Sequence, residues 1–228
     1  MRTRRPVLQV IRALTMLGMP ACFVFALARL SVDATMSLFW SAPLLAMLLG
    51  SGWLGERVGV RQWLAAAAAY AGALVILGPF AIPTGRAAIL PLLMRGCFAL
   101  YLVLTRFMRD ETTASRPFYT ALGVWLPLGL VVPWVWKTPT LRDFGLMSSI
   151  GVLGFLFLLG LDHALDAAPV GRLAPFALAQ PIWTVVIDAG LSGHAPARRA
   201  VVGIMVLLGA WRVFAWPERV PAMAHRMS

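Results

Sequence analysis

Charge is scarce in this sequence. Charged residues make up 13% of its 228 residues, and only 9 of them are acidic against 20 basic, whereas 60% of the chain is hydrophobic. Soluble domains are about 25% charged and about 45–50% apolar, and the mean hydropathy of this chain is +0.81. The shortage of charge therefore excludes an ordinary soluble domain and indicates a membrane protein.

The residues and motifs of common enzymes and redox proteins are also few. The two cysteines, Cys22 and Cys97, fall within apolar runs, where we expect small packing residues rather than a disulfide. The sequence lacks H-E-x-x-H, a Cys/His metal spacing, G-x-x-x-x-G-K-[ST] and G-x-S-x-G. These absences argue against an enzyme, a metal site, a cofactor and an ATP-driven pump. An intramembrane enzyme built on Asp162, His163 and Asp188 is an alternative that no motif supports.

Long apolar runs dominate the chain. Eight of them approach the roughly 20 residues that a helix needs to cross the hydrocarbon layer: 7–28, 34–53, 61–80, 87–105, 117–136, 144–163, 169–190 and 200–216. They lack the alternation of barrel strands, and backbone exposed to lipid must form its hydrogen bonds internally, so we expect helices. The sequence predicts an all-α fold, a polytopic transmembrane bundle of these eight helices.

The net charge of +11 reports orientation rather than nucleic-acid binding, because the basic residues lie in short segments between the runs. If the N-terminus is cytoplasmic, the inner segments hold twelve basic residues and the outer ones six. Basic residues concentrate in cytoplasmic loops. We therefore expect a multi-pass protein of the inner membrane with both termini in the cytoplasm, although Arg198 and Arg199 lie on the outer side.

An internal repeat relates two parts of the chain. A shift of 138 residues lays 26–79 on 164–217, with identities that include Pro43/Pro181 and Gly52/Gly190. The shift carries the second apolar run onto the seventh, five helices later, so the two copies cross the membrane in opposite directions. Inverted repeats of this kind are typical of secondary transporters.

Pro43 and Pro181 occupy equivalent places in the two copies. A proline inside a helix removes a backbone hydrogen bond and kinks the helix, so the pair is a candidate for matched distortions that take part in gating. The alternative is that each proline fits the first turn of a helix, where the missing N–H has no cost.

The residues around these prolines resemble the EamA-type repeat of the drug/metabolite transporter superfamily. The similar features are "LGER" at 54–57, "GALVILGP" at 72–79 and, for the second repeat, "YLVLTRFMRD" at 101–110. The resemblance divides the chain into an N-terminal repeat at 1–80, a C-terminal repeat at 87–217 and a cytoplasmic tail at 218–228. It implies export of a small organic solute, such as a metabolite, amino acid or drug, by alternating access.

Two departures from the family pattern stand out. Nothing matches the first two of the ten helices usual in the family, so the chain is truncated, mis-started at Met1, or dependent on self-association, for example as a homodimer. His194 also stands where the first copy has Glu56, a residue expected to lie at the interface and to pair with Arg57 or Arg61. The rival interpretation is a non-transporting remnant or an accessory membrane subunit.

Polar groups inside apolar runs are the best candidates for solute binding, because their burial in lipid is costly. Arg95 lies near the middle of the membrane if its helix starts near Ala87, and could bind an anionic solute group. If Pro91 starts the helix, the side chain instead reaches the surface. Tyr101 and Thr105 lie one helical spacing apart and either line the same cavity or serve packing.

Four further polar or aromatic residues are weaker candidates. Trp40 and Gln180 flank the two prolines and could stack on and hydrogen-bond a solute, or serve as an interfacial anchor and a helix–helix contact. His163 and Asp166 lie three residues apart near the end of the sixth run. They either pair at the interface or carry a coupling proton, since histidine titrates near neutral pH.

Overall fold

The computed structural model describes residues 5–78, 82–111, 115–193 and 195–215. Within these ranges the chain forms ten α-helices and one short 3-10 turn, with no strand. The all-α fold predicted from the apolar runs is confirmed. His194 and the predicted tail 218–228 lie outside the described residues.

The helices follow in chain order as α1 (Pro6–Leu27), α2 (Val32–Phe39), α3 (Ala42–Trp53), α4 (Val60–Leu77), α5 (Ile89–Phe107), α6 (Ser115–Val135), α7 (Leu141–Ala167), α8 (Val170–Ala177), α9 (Gln180–Ser192) and α10 (Arg198–Ala215). Seven helical segments are long and apolar enough to cross a membrane, with α2 and α3 forming one segment and α8 and α9 another. The remaining helix, α10, has 18 residues and carries three arginines. The chain is therefore a polytopic membrane bundle.

The start of α5 differs from both predicted starts. A 3-10 turn, Gly85–Ala88, comes first, and the α-helix begins at Ile89. Arg95 is thus six residues into α5, or about 9 Å from its start at a rise of about 1.5 Å per residue.

Several helices occur in pairs separated by a constant distance along the chain. Val32 begins α2 and Val170 begins α8, 138 residues later, and the same interval separates Phe39 from Ala177, where these helices end. It also separates both ends of α4 from both ends of α10. The two copies therefore share helix lengths and break positions, which are the features that the sequence shift matched.

The paired helices α4 and α10 pack closely against each other. A Cβ atom added to Gly203 would lie 2.6 Å from the carbonyl oxygen of Gly72 and 2.5 Å from Cγ1 of Ile76. Only glycine permits such an approach of two backbones. This contact joins the helix that ends the first half of the chain to the last described helix.

The helix α5 occupies a central position, because it packs against α1, α2, α3 and, more lightly, α7 and α8. By contrast, the buried residues of α6 and α7 lie only near one end: at 115–120 in α6, and at Asp162 and Leu165 in α7. The rest of these two helices presents large exposed apolar side chains, as expected of helices that face lipid. Their buried ends carry the polar groups described next.

Candidate transport site and ion-paired end

The second span of the bundle is broken halfway. α2 ends at Phe39 and α3 begins at Ala42, and Pro43 is the second residue of the new helix. Ser41 lies at the break and donates a hydrogen bond from its Oγ to the carbonyl oxygen of Leu38, at 2.6 Å. Proline lacks the N–H that would continue the helical ladder, so the break leaves backbone and hydroxyl groups for contacts other than the helix itself.

The matching span in the second copy breaks at the equivalent place. α8 ends at Ala177, α9 begins at Gln180, and Pro181 is again the second residue. Leu178 from this break lies in one hydrophobic cluster with Phe39 and Trp40. The two breaks therefore belong to a shared core, and both prolines lie in the first turn of the helix that follows a break.

Arg95 reaches the first break from α5. Its Nη1 donates a hydrogen bond to the Oγ of Ser41 at 3.0 Å, while its buried Nε has no hydrogen-bond partner in the described chain. The hydroxyl of Tyr70 on α4 donates to the carbonyl oxygen of Ser37 at 3.0 Å, one turn from the break. The break thus holds a cationic group with an unused donor, which is a suitable partner for an acceptor atom of a solute.

The other aromatic and amide candidates lie near the breaks in different environments. Trp40 is only 6% exposed, and its ring meets Phe39 edge to face with centroids 5.3 Å apart. Gln180 is exposed, at the first position of α9. Trp40 therefore serves the core in this conformation, whereas Gln180 is accessible.

Tyr101 and Thr105 bind a different arginine from the one expected. Arg12 on α1 donates to the hydroxyl of Tyr101 and to the Oγ1 of Thr105, both at 2.8 Å, and its Cζ lies 4.8 Å from the Tyr101 ring centroid. Arg12 Nη2 also contacts both oxygens of Asp162 on α7, at 2.8 and 2.9 Å. The Arg12 and Asp162 side chains have no exposed surface. Arg95 is not part of this network.

The sequence analysis did not assign Arg12 a function, although a usable signal was present. Arg12 is a charged residue inside an apolar run, which is the argument that selected Arg95. Nearby Gln9 is 2% exposed, and neither atom of its amide has a partner in the described chain. Buried polar groups are normally hydrogen-bonded, to water where protein provides no partner, so this part of the bundle is polar and suited to hydration.

Asp166 and His163 do not contact each other. Asp166 forms an ion pair with Arg116 of α6, whose Nη1 lies 2.8 Å from the Asp166 Oδ1 and whose Nη2 contacts the Oδ2. His163 is exposed, and its Nδ1 lies 2.7 Å from the carbonyl oxygen of Leu159, one turn earlier in α7. The proton-coupling role of His163 and Asp166 stays a prediction.

Glu56 contacts two later helices rather than only its own loop. Its Oε1 lies 3.1 Å from Nε of Arg106 on α5, and its Oε2 accepts a hydrogen bond from the backbone N–H of Val170 at 2.9 Å. Val170 is the first residue of α8. Because the first N–H groups of a helix have no partner within it and carry partial positive charge, Glu56 stabilises the start of α8. The Nη1 of Arg106 also donates to the carbonyl oxygen of Leu165, at 2.6 Å.

All three ion pairs lie at the end of the bundle where α1 begins and α3, α5 and α7 end, which we call the ion-paired end. Its members are Arg12, Glu56, Arg106, Arg116, Asp162 and Asp166. Two of the pairs, those of Asp162 and Glu56, join α1–α4 to α5–α10. They hold the two halves of the molecule together at this end. Among the described residues, no group of His, Cys, Asp or Glu could hold a metal ion.

A bundle of membrane-length helices in which two matched spans break halfway is the architecture of a secondary membrane transporter. The model of the EamA-like transporter family matches residues 6–78, from the start of α1 to the end of α4. A solved crystal structure with 18% sequence identity superposes with a TM-score of 0.81, over 94% of this chain and 77% of its own, and shares the fold.

Two groups of curated relatives are transporters by name. A riboflavin transporter of Rhizobium johnstonii is 30% identical over 218 residues, which cover 92% of this chain and 70% of the relative. A riboflavin transporter of Vibrio cholerae is 29% identical over 182 residues, covering 79% and 54%. An S-adenosylmethionine uptake transporter of Rickettsia bellii is 20% identical over 220 residues, covering 96% and 76%.

This chain belongs to the EamA-like transporter family. The family resemblance stated from the sequence is confirmed. The chain is a multi-pass membrane protein that acts on a small-molecule solute, and it is a transporter rather than an enzyme.

Proposed function

We propose that this protein transports a small solute that combines a nitrogen heterocycle with a polar chain, by alternating access. The names of the relatives support this class, because riboflavin and S-adenosylmethionine both consist of a fused heteroaromatic ring joined to a hydroxylated sugar-derived group. Both solutes also present several hydrogen-bond acceptors. The proposal therefore needs a site that combines apolar surface with a positioned donor.

The observation that carries the proposal is the contact between Arg95 and Ser41 at the break between α2 and α3. Arg95 uses Nη1 for Ser41 and keeps a buried Nε without a partner in the described chain. A ring carbonyl or a carboxylate of the solute would satisfy that donor. The exposed amide of Gln180 at the matching break is the second proposed contact.

Alternating access requires one end of the bundle to close while the other opens. We propose that the ion-paired end is the closed end here, because Asp162–Arg12 and Glu56–Arg106 tie the two halves together there. The distribution of arginines favours the cytoplasm for this end, with both termini on that side of the inner membrane. Opening it would break these pairs, and Pro43 and Pro181 lie at the places where the spans can bend.

The proposed direction is uptake, which is the function printed for the Rickettsia relatives. Export, which the family resemblance implies, is the other outcome of the same assay. A homodimer is a proposal that cross-linking in membranes would test, with the exposed face of α7 as the available surface.

The test is solute counterflow into liposomes that contain the purified full chain, with labelled riboflavin and labelled S-adenosylmethionine as probes. We expect saturable counterflow of at least one probe, and a loss of about tenfold or more for Arg95→Ala, since a hydrogen bond to a charged group contributes about 1.5–3 kcal/mol. Arg86→Ala is the matched control, because Arg86 is exposed in the turn before α5.

Three results would contradict the proposal. Counterflow that is equal in Arg95→Ala and Arg86→Ala would remove Arg95 from the site. The absence of counterflow by a folded chain for these probes would favour the non-transporting remnant or accessory subunit. Solute accumulation only in liposomes with the opposite orientation would reverse the direction to export.

A further inference from the structure

A cavity opens at the surface of the ion-paired end, beside but separate from the helix breaks. It has a volume of about 330 Å³ and lies between the start of α1, the end of α3 and the end of α5. Its lining includes three arginines and two aromatic side chains: Arg5, Arg106, Arg109, Trp53 and Phe107. None of these residues belongs to the proposed solute site.

The charges of the cavity favour an anion. Glu56 neutralises Arg106 across 3.1 Å. The remaining charged residues of the lining are Arg5, Arg109 and one acid, Asp110, so the cavity keeps an excess of positive charge. Guanidinium groups bind phosphate with paired N–H donors. Arg5 is already positioned by Phe107, whose ring centroid lies 4.9 Å from its Cζ.

The position of the cavity indicates that the phosphate comes from a lipid. Helices α1, α3 and α5 have their ends here, at the level where a membrane-spanning bundle meets the headgroups. Trp53 is 64% exposed at the end of α3, as expected of an interfacial tryptophan. Below the cavity, one face of α1 exposes Val7, Ile11 and Leu14, whose spacing forms an apolar strip along the helix.

We propose that this cavity binds an anionic phospholipid. Arg5 and Arg109 hold the phosphate, Trp53 and Phe107 contact the glycerol region, and an acyl chain lies along the strip on α1. Basic pockets between helices at a membrane surface are suited to such headgroups. The lipid would connect α1 to the α5 end beside the Glu56–Arg106 pair and stabilise the ion-paired end. This inference does not depend on which solute is transported.

The test measures melting temperature for the full chain purified in a neutral detergent. Phosphatidylglycerol, phosphatidylcholine and inorganic phosphate are added separately. A ligand that binds only the folded state raises its melting temperature. We expect phosphatidylglycerol to raise it by about 2–4 °C, with no comparable rise from the other two additives. Native mass spectrometry of the same samples should show retained phosphatidylglycerol.

The variant Arg5→Gln/Arg109→Gln should lose at least half of this rise. The control Arg29→Gln/Arg142→Gln removes two exposed arginines at the opposite end of the bundle and should keep the rise. If the first variant fails to fold, Arg109→Lys replaces it, and weaker retention of the lipid is expected because lysine lacks the paired donors. An equal rise with inorganic phosphate would assign the site to a free anion, and equal loss in both double variants would reduce it to general charge. Either result overturns the lipid site.

Discussion

Arg12 and Asp162 form an ion pair from which solvent is completely excluded. The Arg12 Nη2 lies 2.8 Å from the Asp162 Oδ1, neither side chain is exposed, and 150 residues separate the two in sequence. Tyr101 and Thr105 bind the same guanidinium, so α5 positions the arginine that α7 neutralises. Four further consequences of the structure can be tested by substitution.

Replacing Asp162 should strongly destabilise the protein. Asp162→Asn leaves the Arg12 charge buried without its counter-ion, and removal of one partner of a buried pair costs about 3–5 kcal/mol. Thermal unfolding in detergent measures the change. Asp33→Asn, at an exposed position in the first turn of α2, is the control and should cost only a few tenths of a kcal/mol, in line with the roughly 0.3–1 kcal/mol of a helix-dipole contact. Equal stability of the two variants would contradict the importance of the pair.

Replacing Glu56 should open the ion-paired end. Glu56→Gln weakens the contact with Arg106 and removes the carboxylate that binds the start of α8. Ala174 lies on α8 and is 3% exposed. In a chain without Cys22 and Cys97, labelling of Ala174→Cys by a polar maleimide should become faster when Glu56→Gln is added. Asp110→Asn, which leaves both contacts intact, is the control, and equal labelling in the two backgrounds would show that Glu56 does not hold this end closed.

A methyl group at Gly203 should disturb the contact between α4 and α10. The added Cβ of Gly203→Ala would lie 2.6 Å from the Gly72 carbonyl oxygen, and overpacking of a fitted interface costs about 1–3 kcal/mol. Gly209→Ala is the control on the same helix, because its Cβ would meet nothing within 4 Å. The melting temperature should fall only for Gly203→Ala. A fall of the same size in both would attribute the effect to helix propensity rather than to packing.

The two interpretations of Pro43 and Pro181 differ in their effect on transport. If the prolines provide bending points for gating, Pro43→Ala/Pro181→Ala should slow solute counterflow while the folded chain remains as stable as before. Pro127→Ala, within α6, is the control and should leave counterflow unchanged. If the prolines only fit the first turns of α3 and α9, the double variant will transport at the wild-type rate.

The fold was largely predictable because the apolar runs and the repeat are local or periodic signals. The runs gave the spans, and the 138-residue shift matches the helix bounds of α2, α4, α8 and α10. The start of α5 was less accessible, since Gly85–Ala88 adds a 3-10 turn before the helix. Such turns depend on a few weak local preferences.

The site was predicted only in part because its contacts join distant residues. Arg95 and Tyr101 are both polar and lie on one helix, but six residues correspond to about 240° of rotation at 3.6 residues per turn. They therefore face different neighbours, and Tyr101 meets Arg12 instead. Neither the Arg12–Asp162 pair nor the contact of Glu56 with Val170 can be found from the spacing of residues within one segment.

The start of α8 shows that the two copies have diverged in how they complete their own helices. In the first copy, Ser31 caps α2 by accepting a hydrogen bond from the N–H of Ala34 at 3.2 Å. The equivalent position before α8 is Pro169, which makes no such side-chain contact, and Glu56 provides the acceptor from the other copy. The halves are therefore no longer interchangeable modules. A second half produced alone would begin α8 without its acceptor, whereas the first half contains its own.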